Sequence, residues 1–348
     1  MPRVHLLGVG ATSLSREGRD ARWLAHDAVT AALSDAGLSG REVDSLALSC
    51  GEWSAALGCF DALGRKVRST ACASAHGALA LHTAWAAVAT GESEVAVCVG
   101  HDPRPELGDA VLPLDQLASD ARTYLRGSGA TEEHLARVAV KNRGHGAANP
   151  RALLRSAVTV EEVLASTELS RPLRELMVPG PAQAAAAVVL GRHDRGRRDG
   201  PRAPRLPASV LLSAEEGQPA VARAAGLAYF GASLGPEDVD LAEVEDLTPA
   251  TEISAYEALE LAPANRGPEL VESGFTELGG VVPVNASGGS LAQGRAPGSG
   301  PLLQLIELCQ QLRGTAGRRQ VPGARVGLAL CGNPVGPRAA TSLTIVGA

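Results

Sequence analysis

The sequence predicts a layered α/β fold built from two similar halves, and three observations carry that reading. Short apolar runs alternate with longer Ala-rich stretches at helical spacing along most of the chain. Ala36-Gly37-Leu38-Ser39-Gly40-Arg41-Glu42-Val43-Asp44, which leads into Leu46 to Leu48, is echoed by Leu234-Gly235-Pro236-Glu237-Asp238-Val239-Asp240, which leads into Leu241 to Val244. The helix-like Leu302 to Leu312 followed by Val326 to Leu330 then repeats the pattern of residues 72–99.

Taken in order, Val4 to Val9 reads as a buried strand closed by a Gly-Ala turn. Ala21 to Ala36 spaces Leu24, Ala28, Ala31 and Ala32 for a helix that stops at Gly37. Val43 to Ser49 is a second strand, Cys72 to Ala89 a long Ala-rich helix, and Val95 to Val99 a buried strand. After the Arg/Pro-rich stretch around 192–205, which reads as a solvated linker, come the strand Ser209 to Ser213 and the helix Ala220 to Leu234. Residues 103–200 form an insertion with helices at Ala130 to Arg143 and Thr159 to Ser166 and an apolar run at Ala182 to Leu190. The expected division is 1–102 for the first half, 103–200 for the insertion with the close of that half, and 201–348 for the second half.

Composition narrows the function. The 348 residues carry a formal net charge of −6, where a nucleic-acid binder would show a basic excess. No apolar run reaches the ~18 residues of a membrane span, and Met1 to Gly10 carries no signal-peptide core. A cytoplasmic location with reduced thiols is expected. The six cysteines (50, 59, 72, 98, 309 and 331) contain no C-x-x-C pair, so no metal site is expected. The last of the eight histidines is His193.

The stretch Ser69-Thr70-Ala71-Cys72-Ala73-Ser74-Ala75-His76 sets a thiol at the expected start of a helix. The unpaired N–H groups and dipole there favour thiolate, which prepares a nucleophile for a thioester; a structural core thiol is the alternative. His76, four residues on, would lie one helical turn away, either as a base for Cys72 or as a satisfied core histidine. His134 and His145 fall in the insertion, where surface positions are expected and a contact to coenzyme is the alternative.

With its Ala-rich helix and Gly91-Glu92-Ser93-Glu94-Val95, Cys72-Ala73-Ser74 resembles the nucleophile region of thiolases and ketoacyl synthases. Val282-Pro283-Val284-Asn285-Ala286-Ser287-Gly288-Gly289, Val140-Lys141-Asn142-Arg143 through Asn149-Pro150, and Tyr256-Glu257-Ala258-Leu259 are similar to the sterol-carrier-type thiolases. The resemblance runs in order along nearly the whole chain. It implies a five-layer αβαβα fold from two duplicated βαβαβαββ halves plus a loop domain. It also implies a homodimer, or a heterodimer with a paralogue, and admits a small OB-fold partner. No tightly bound cofactor is implied; coenzyme A or an acyl-carrier thioester would be substrate.

By the same resemblance Cys72 falls on the acyl-accepting cysteine. Glu245 stands where these thiolases have the histidine of His-Asp-Cys-Phe, and Arg295 stands for the histidine of a Gly-His-Pro loop that is one residue shorter here. Cys331 falls on the second, acid/base cysteine. Asn285, Gly288, Gly289 and Asn333 fall in the oxyanion and substrate-binding loops. Arg295 donates hydrogen bonds and holds anions but is a poor base, whereas Glu245 could be one if buried. The expected activity is acyl transfer through Cys72 without the usual thiolase histidines. A catalytically degenerate subunit of an active paralogue and an aldolase of the sterol-side-chain type are the alternatives.

Overall fold

A computed structural model describes residues 4–49, 53–72, 76–102, 112–194, 203–213, 220–332 and 340–348. Helix α1 (Ala21–Ala36) shows how the sequence sets an element: the Asp20 side chain accepts from the Trp23 N–H, and Gly37, at φ 67°, ends the helix in a left-handed turn. Its inward face buries Leu24, Ala25, Ala28, Val29 and Ala32. The small residues bring it close to the sheet: a Cβ on Gly8 or Gly10 would lie 2.3 or 2.4 Å from an α1 carbonyl oxygen.

Among the described residues β5 (Glu168–Ser170) and β6 (Leu173–Arg174) form a separate pair, and nine strands form one sheet. Its order is β3 (Arg68–Cys72), β2 (Ser45–Ser49), β4 (Val95–His101), β7 (Ala185–Gly191), β1 (His5–Ala11), β8 (Arg205–Ser213), β11 (Ala340–Gly347), β10 (Val326–Gly332) and β9 (Leu241–Val244). The two halves of that list mirror each other about the β1–β8 contact, where His5 pairs with Arg205. In each half parallel strands lie outside and an antiparallel pair lies inside. The duplication read from the sequence is therefore a duplication of topology.

Helices α3 (Gly77–Ala89) and α11 (Gly300–Leu312) pack together between the two half-sheets. α1 and α2 (Trp53–Leu63) cover the outer face of the first half, and α7 (Ala220–Ala232) covers that of the second. The result is the five-layer αβαβα arrangement. One apolar cluster sits between α1 and the first half-sheet, and another between the half-sheets around α3 and α11. A third joins the second half to α4 (Leu114–Ser128), α5 (Glu132–Ala147), α6 (Val160–Ala165), α8 (Pro249–Ala258), α9 (Gly267–Glu272) and α10 (Gly289–Gln293).

The structure corrects one local expectation. Cys72 is the last residue of a strand, and the helix begins only at Gly77 with His76 as its N-cap. Ala71 and Cys72 pair with Leu48 and Ser49 of β2, so ladder hydrogen bonds claim the residues that composition alone assigned to the helix. His76 is accordingly not one helical turn from Cys72. The apolar run at 182–190 is β7, inserted between β4 and β1.

Candidate active site

Parallel β2 and β3 carry Cys72 to the edge of the layer occupied by α3. Its thiol is buried, 3.8 Å from the Thr83 hydroxyl on α3, and that hydroxyl donates to the Leu79 carbonyl at 2.8 Å. Cys98 on β4 lies near both Cys72 and Cys59, and burial pushes its thiol well above the ordinary range. Cys98 is thus a core thiol.

His76 links the two halves. Its Nε2 lies 3.8 Å from Glu245 Oε2, with both side chains mostly buried. Glu245 follows β9; its N–H donates to the Leu330 carbonyl, and its Oε2 accepts the Gly332 N–H at 3.0 Å. Cys331, next along β10, donates its S–H to Gln304 Oε1 at 2.8 Å. Burial, then the nearby Glu245 and Glu243, push the Cys331 thiol well up, so it is held protonated.

Cys331, Glu245, Glu243, Gln304, Arg295 and Gly289 line one cavity. The sequence places four of these there by family position; Glu243 and Gln304 are additions. Glu243 had a signal, since an acid in the apolar strand Leu241–Val244 must either face a site or bury a charge. Arg295 sits on fixed backbone: its N–H donates to the Gly180 carbonyl at 2.7 Å, and its own carbonyl accepts the Ala182 N–H at 3.0 Å. Gly289 has φ 59°, and a Cβ there would come 2.3 Å from the Asp246 carboxylate, so glycine is required on two counts.

Asn285 is fully buried and does not line the cavity. Its Oδ1 accepts the Val244 N–H, its Nδ2 donates to Glu252, and its carbonyl accepts from His145 Nδ1 at 2.9 Å. Its role in this structure is to brace the loop from below. Gly288 is buried likewise, packed against Gly146. Asn333 lies outside the described residues. His145 is buried rather than on the surface: its Nε2 accepts the Leu278 N–H at 3.1 Å, and burial, then the Lys141 charge, lower its pKa to about 3. His134 caps α5 by accepting the Thr131 N–H and contacts Glu272 at 2.9 Å.

This arrangement, a thiol beside the central helix layer with a second thiol on the opposite half, belongs to the thiolase class of folds. The structure of the Ltp2-ChsH2(DUF35) aldolase superposes with a TM-score of 0.87 at 24% identity, covering 99% of this chain and 98% of that one. The model of the Thiolase C-terminal domain-like family matches residues 213–346. An acetyl-CoA acetyltransferase of Methanothermobacter thermautotrophicus is 34% identical over 285 residues, 74% of each chain. Bovine sterol carrier protein 2 is 33% identical over 60% of this chain, which spans 41% of that longer protein. The chain belongs to the thiolase family, in its sterol-carrier-type branch. Among the described residues no helix is long and apolar enough to cross a membrane, and no cluster of metal-ligating side chains occurs.

Proposed function

We propose that this protein is a thiolase-like acyltransferase that loads an acyl group onto Cys72 from a coenzyme A or acyl-carrier thioester and passes it to an acceptor. The observation that carries the reading is the His76–Glu245 pair, 3.8 Å apart, which joins the Cys72 end of β3 to the cavity holding Cys331. His76 takes the thiol proton, and Glu245 steadies the imidazolium formed. The thiolate attacks the thioester carbonyl, the carbon–sulfur bond to the carrier breaks, and the carrier leaves as a thiol with that proton. A nucleophilic acceptor then attacks the acyl carbonyl and the carbon–sulfur bond to Cys72 breaks. The Cys331 thiol gives its proton to the departing sulfur and recovers one from the acceptor, and Arg295 in the same cavity serves the developing oxyanion. Acceptors that are already nucleophilic suit a chain with no histidine beyond His193.

The acetyltransferase relative supports the substrate class, and the aldolase neighbour, named as an Ltp2–ChsH2 pair, supports assembly with a second chain. A small OB-fold protein, a paralogue or a second copy is the proposed partner.

The test is intact-mass analysis after incubation with acyl-CoA. An acyl adduct on the wild type that is lost in Cys72→Ala is expected. An adduct that persists in Cys72→Ala overturns the reading. The full-length match to an aldolase favours a second reading, which predicts carbon–carbon cleavage with no adduct and full turnover in Cys72→Ala. Neither adduct nor turnover points to a non-catalytic subunit.

A further inference from the structure

The buried polar interior holds more carboxyl groups than cations. Glu252 is matched by Lys141 at 2.9 Å, and Glu307 by Arg319 at 2.8 Å. Three other buried carboxyl groups, Asp102, Glu243 and Asp246, have no ion-pair partner among the described residues.

All three are spent on one stretch of chain, the wall that carries Gly289 and Arg295. Glu243 accepts the Ser287 N–H at 2.9 Å and its hydroxyl at 2.5 Å. Asp246 accepts the Ser290 and Leu291 N–H groups and Asn142 Nδ2 at 2.5, 3.1 and 2.7 Å. Asp102 reaches across from the end of β4 in the other half. It accepts the Gly298 N–H at 2.6 Å, the Ser299 N–H at 3.2 Å and the Ser299 hydroxyl. Arg295 lies between the second and third anchors.

We propose that Asp102, Glu243 and Asp246 are positioning residues of the site, which hold the 287–299 wall, and with it Arg295, through neutral donors alone. Neutral donors orient a carboxylate well but only partly repay its desolvation. The charges facing each anchor do not help: Glu243 faces Glu307, Asp246 and the Cys331 thiol, while Asp246 faces Glu252 and Glu243. Asp102 is met by the Gly298 and Ser299 donors, with His101 its neighbour along the chain. Lys141 and Arg319 are engaged by Glu252 and Glu307.

Burial raises Asp102 to about 6 and lifts Glu243 and Asp246 above the usual carboxylate range. The folded state therefore binds more protons than the unfolded chain, and the anchors contribute most at low pH. That contribution is lost as pH rises through the folded values. The wall is tight on the acid side of neutrality and loosens on the alkaline side.

Hydrogen exchange by mass spectrometry on the full chain, at about pH 6 and about pH 8.5 and corrected for intrinsic rates, tests this. Protection of the 285–300 peptide should fall by about tenfold at the higher pH, while the α1 peptide stays constant. Glu243→Gln, an uncharged isostere, should make that fall smaller, leaving the part carried by Asp102 and Asp246. Asp102→Asn turns an amide NH2 toward the Ser299 donors and should unprotect Gly298 and Ser299 at both pH values. Equal wild-type protection at both pH values, or the same fall in Glu243→Gln, overturns the proposal. So does full protection in Asp102→Asn.

A kinetic arm rests on the acyl-transfer reading: the alkaline limb of Cys72 acylation should move in Glu243→Gln. A protein that never acylates sinks that reading and leaves the exchange result standing.

Discussion

The two halves share a strand order and differ in what fills it. β2, buried along its length, carries Leu46, Ala47 and Leu48 between Ser45 and Ser49. β9, its second-half counterpart in lying beside a parallel neighbour, carries a buried Glu243 and leads into Glu245 and Asp246. Below it Lys141, Asn142, Glu252, Tyr256 and Asn285 form a buried network. The first half thus presents the Cys72 thiol on an apolar scaffold, where burial keeps the neighbouring Cys98 thiol protonated. The second half supplies charge, and it can do so only because nearly every buried carboxyl is committed to a donor. One topology can divide the labour of a site when its copies are filled with different chemistry.

The contrast breaks most sharply at Lys141. Lys141→Met removes the cation from Glu252 and should destabilise the protein by about 3–5 kcal/mol in urea unfolding, because an uncompensated buried carboxylate remains. Adding Glu252→Gln to that variant should recover part of the loss.

A second expectation concerns acid. The His145 pKa, lowered to about 3 when folded from 6.5, gives stability that is complete above 6.5 and lost as pH falls. The loss approaches about 1.4 kcal/mol per pH unit below about pH 6. Unfolding of His145→Asn, compared with wild type at about pH 7 and about pH 5, should show the stability difference between them shift by about 2 kcal/mol, wild type losing ground on the acid side.

The smallest effects separate the outer helices. A Cβ on Gly58 of α2 would lie 2.0 Å from the Arg22 carbonyl of α1, so Gly58→Ala should cost about 1–3 kcal/mol. The outer face of α7 leaves Phe230 at 87% exposure, and Phe230→Ser should change thermal stability by less than about 0.5 kcal/mol.

The sequence made the alternation, the duplication and α1 with its Gly37 stop legible, because each rests on local pattern and capping. β3 was not legible: Arg68, Ser69 and Thr70 are exposed on a sheet edge and carry no apolar alternation. The alanines after Cys72 fit a strand end and a helix start equally well. α8 carried a readable signal in Thr248-Pro249, with the threonine accepting the Thr251 N–H. Family position led to Cys331, Glu245 and Arg295, which the structure brings to one cavity. It also led to Asn285, whose position beneath the loop depends on partners 41 and 33 residues away. Asp102 was invisible for the same reason, since its donors lie 196 and 197 residues along the chain.

At the seam between the halves, the Gly298 carbonyl lies 2.0 Å from where a Cβ would stand on either Gly77 or Gly100, and the Gly77 N–H donates to the Pro297 carbonyl. Main chain meets main chain there, with the Asp102 carboxyl accepting the Gly298 N–H beside the contact. The spacing of the two halves is therefore insulated from the identity of the residues around the cavity. Side chains of different chemistry can occupy the cavity wall without the joint having to move. A chemistry can be rewritten around such a seam one side chain at a time, because backbone contact sets how closely the halves approach.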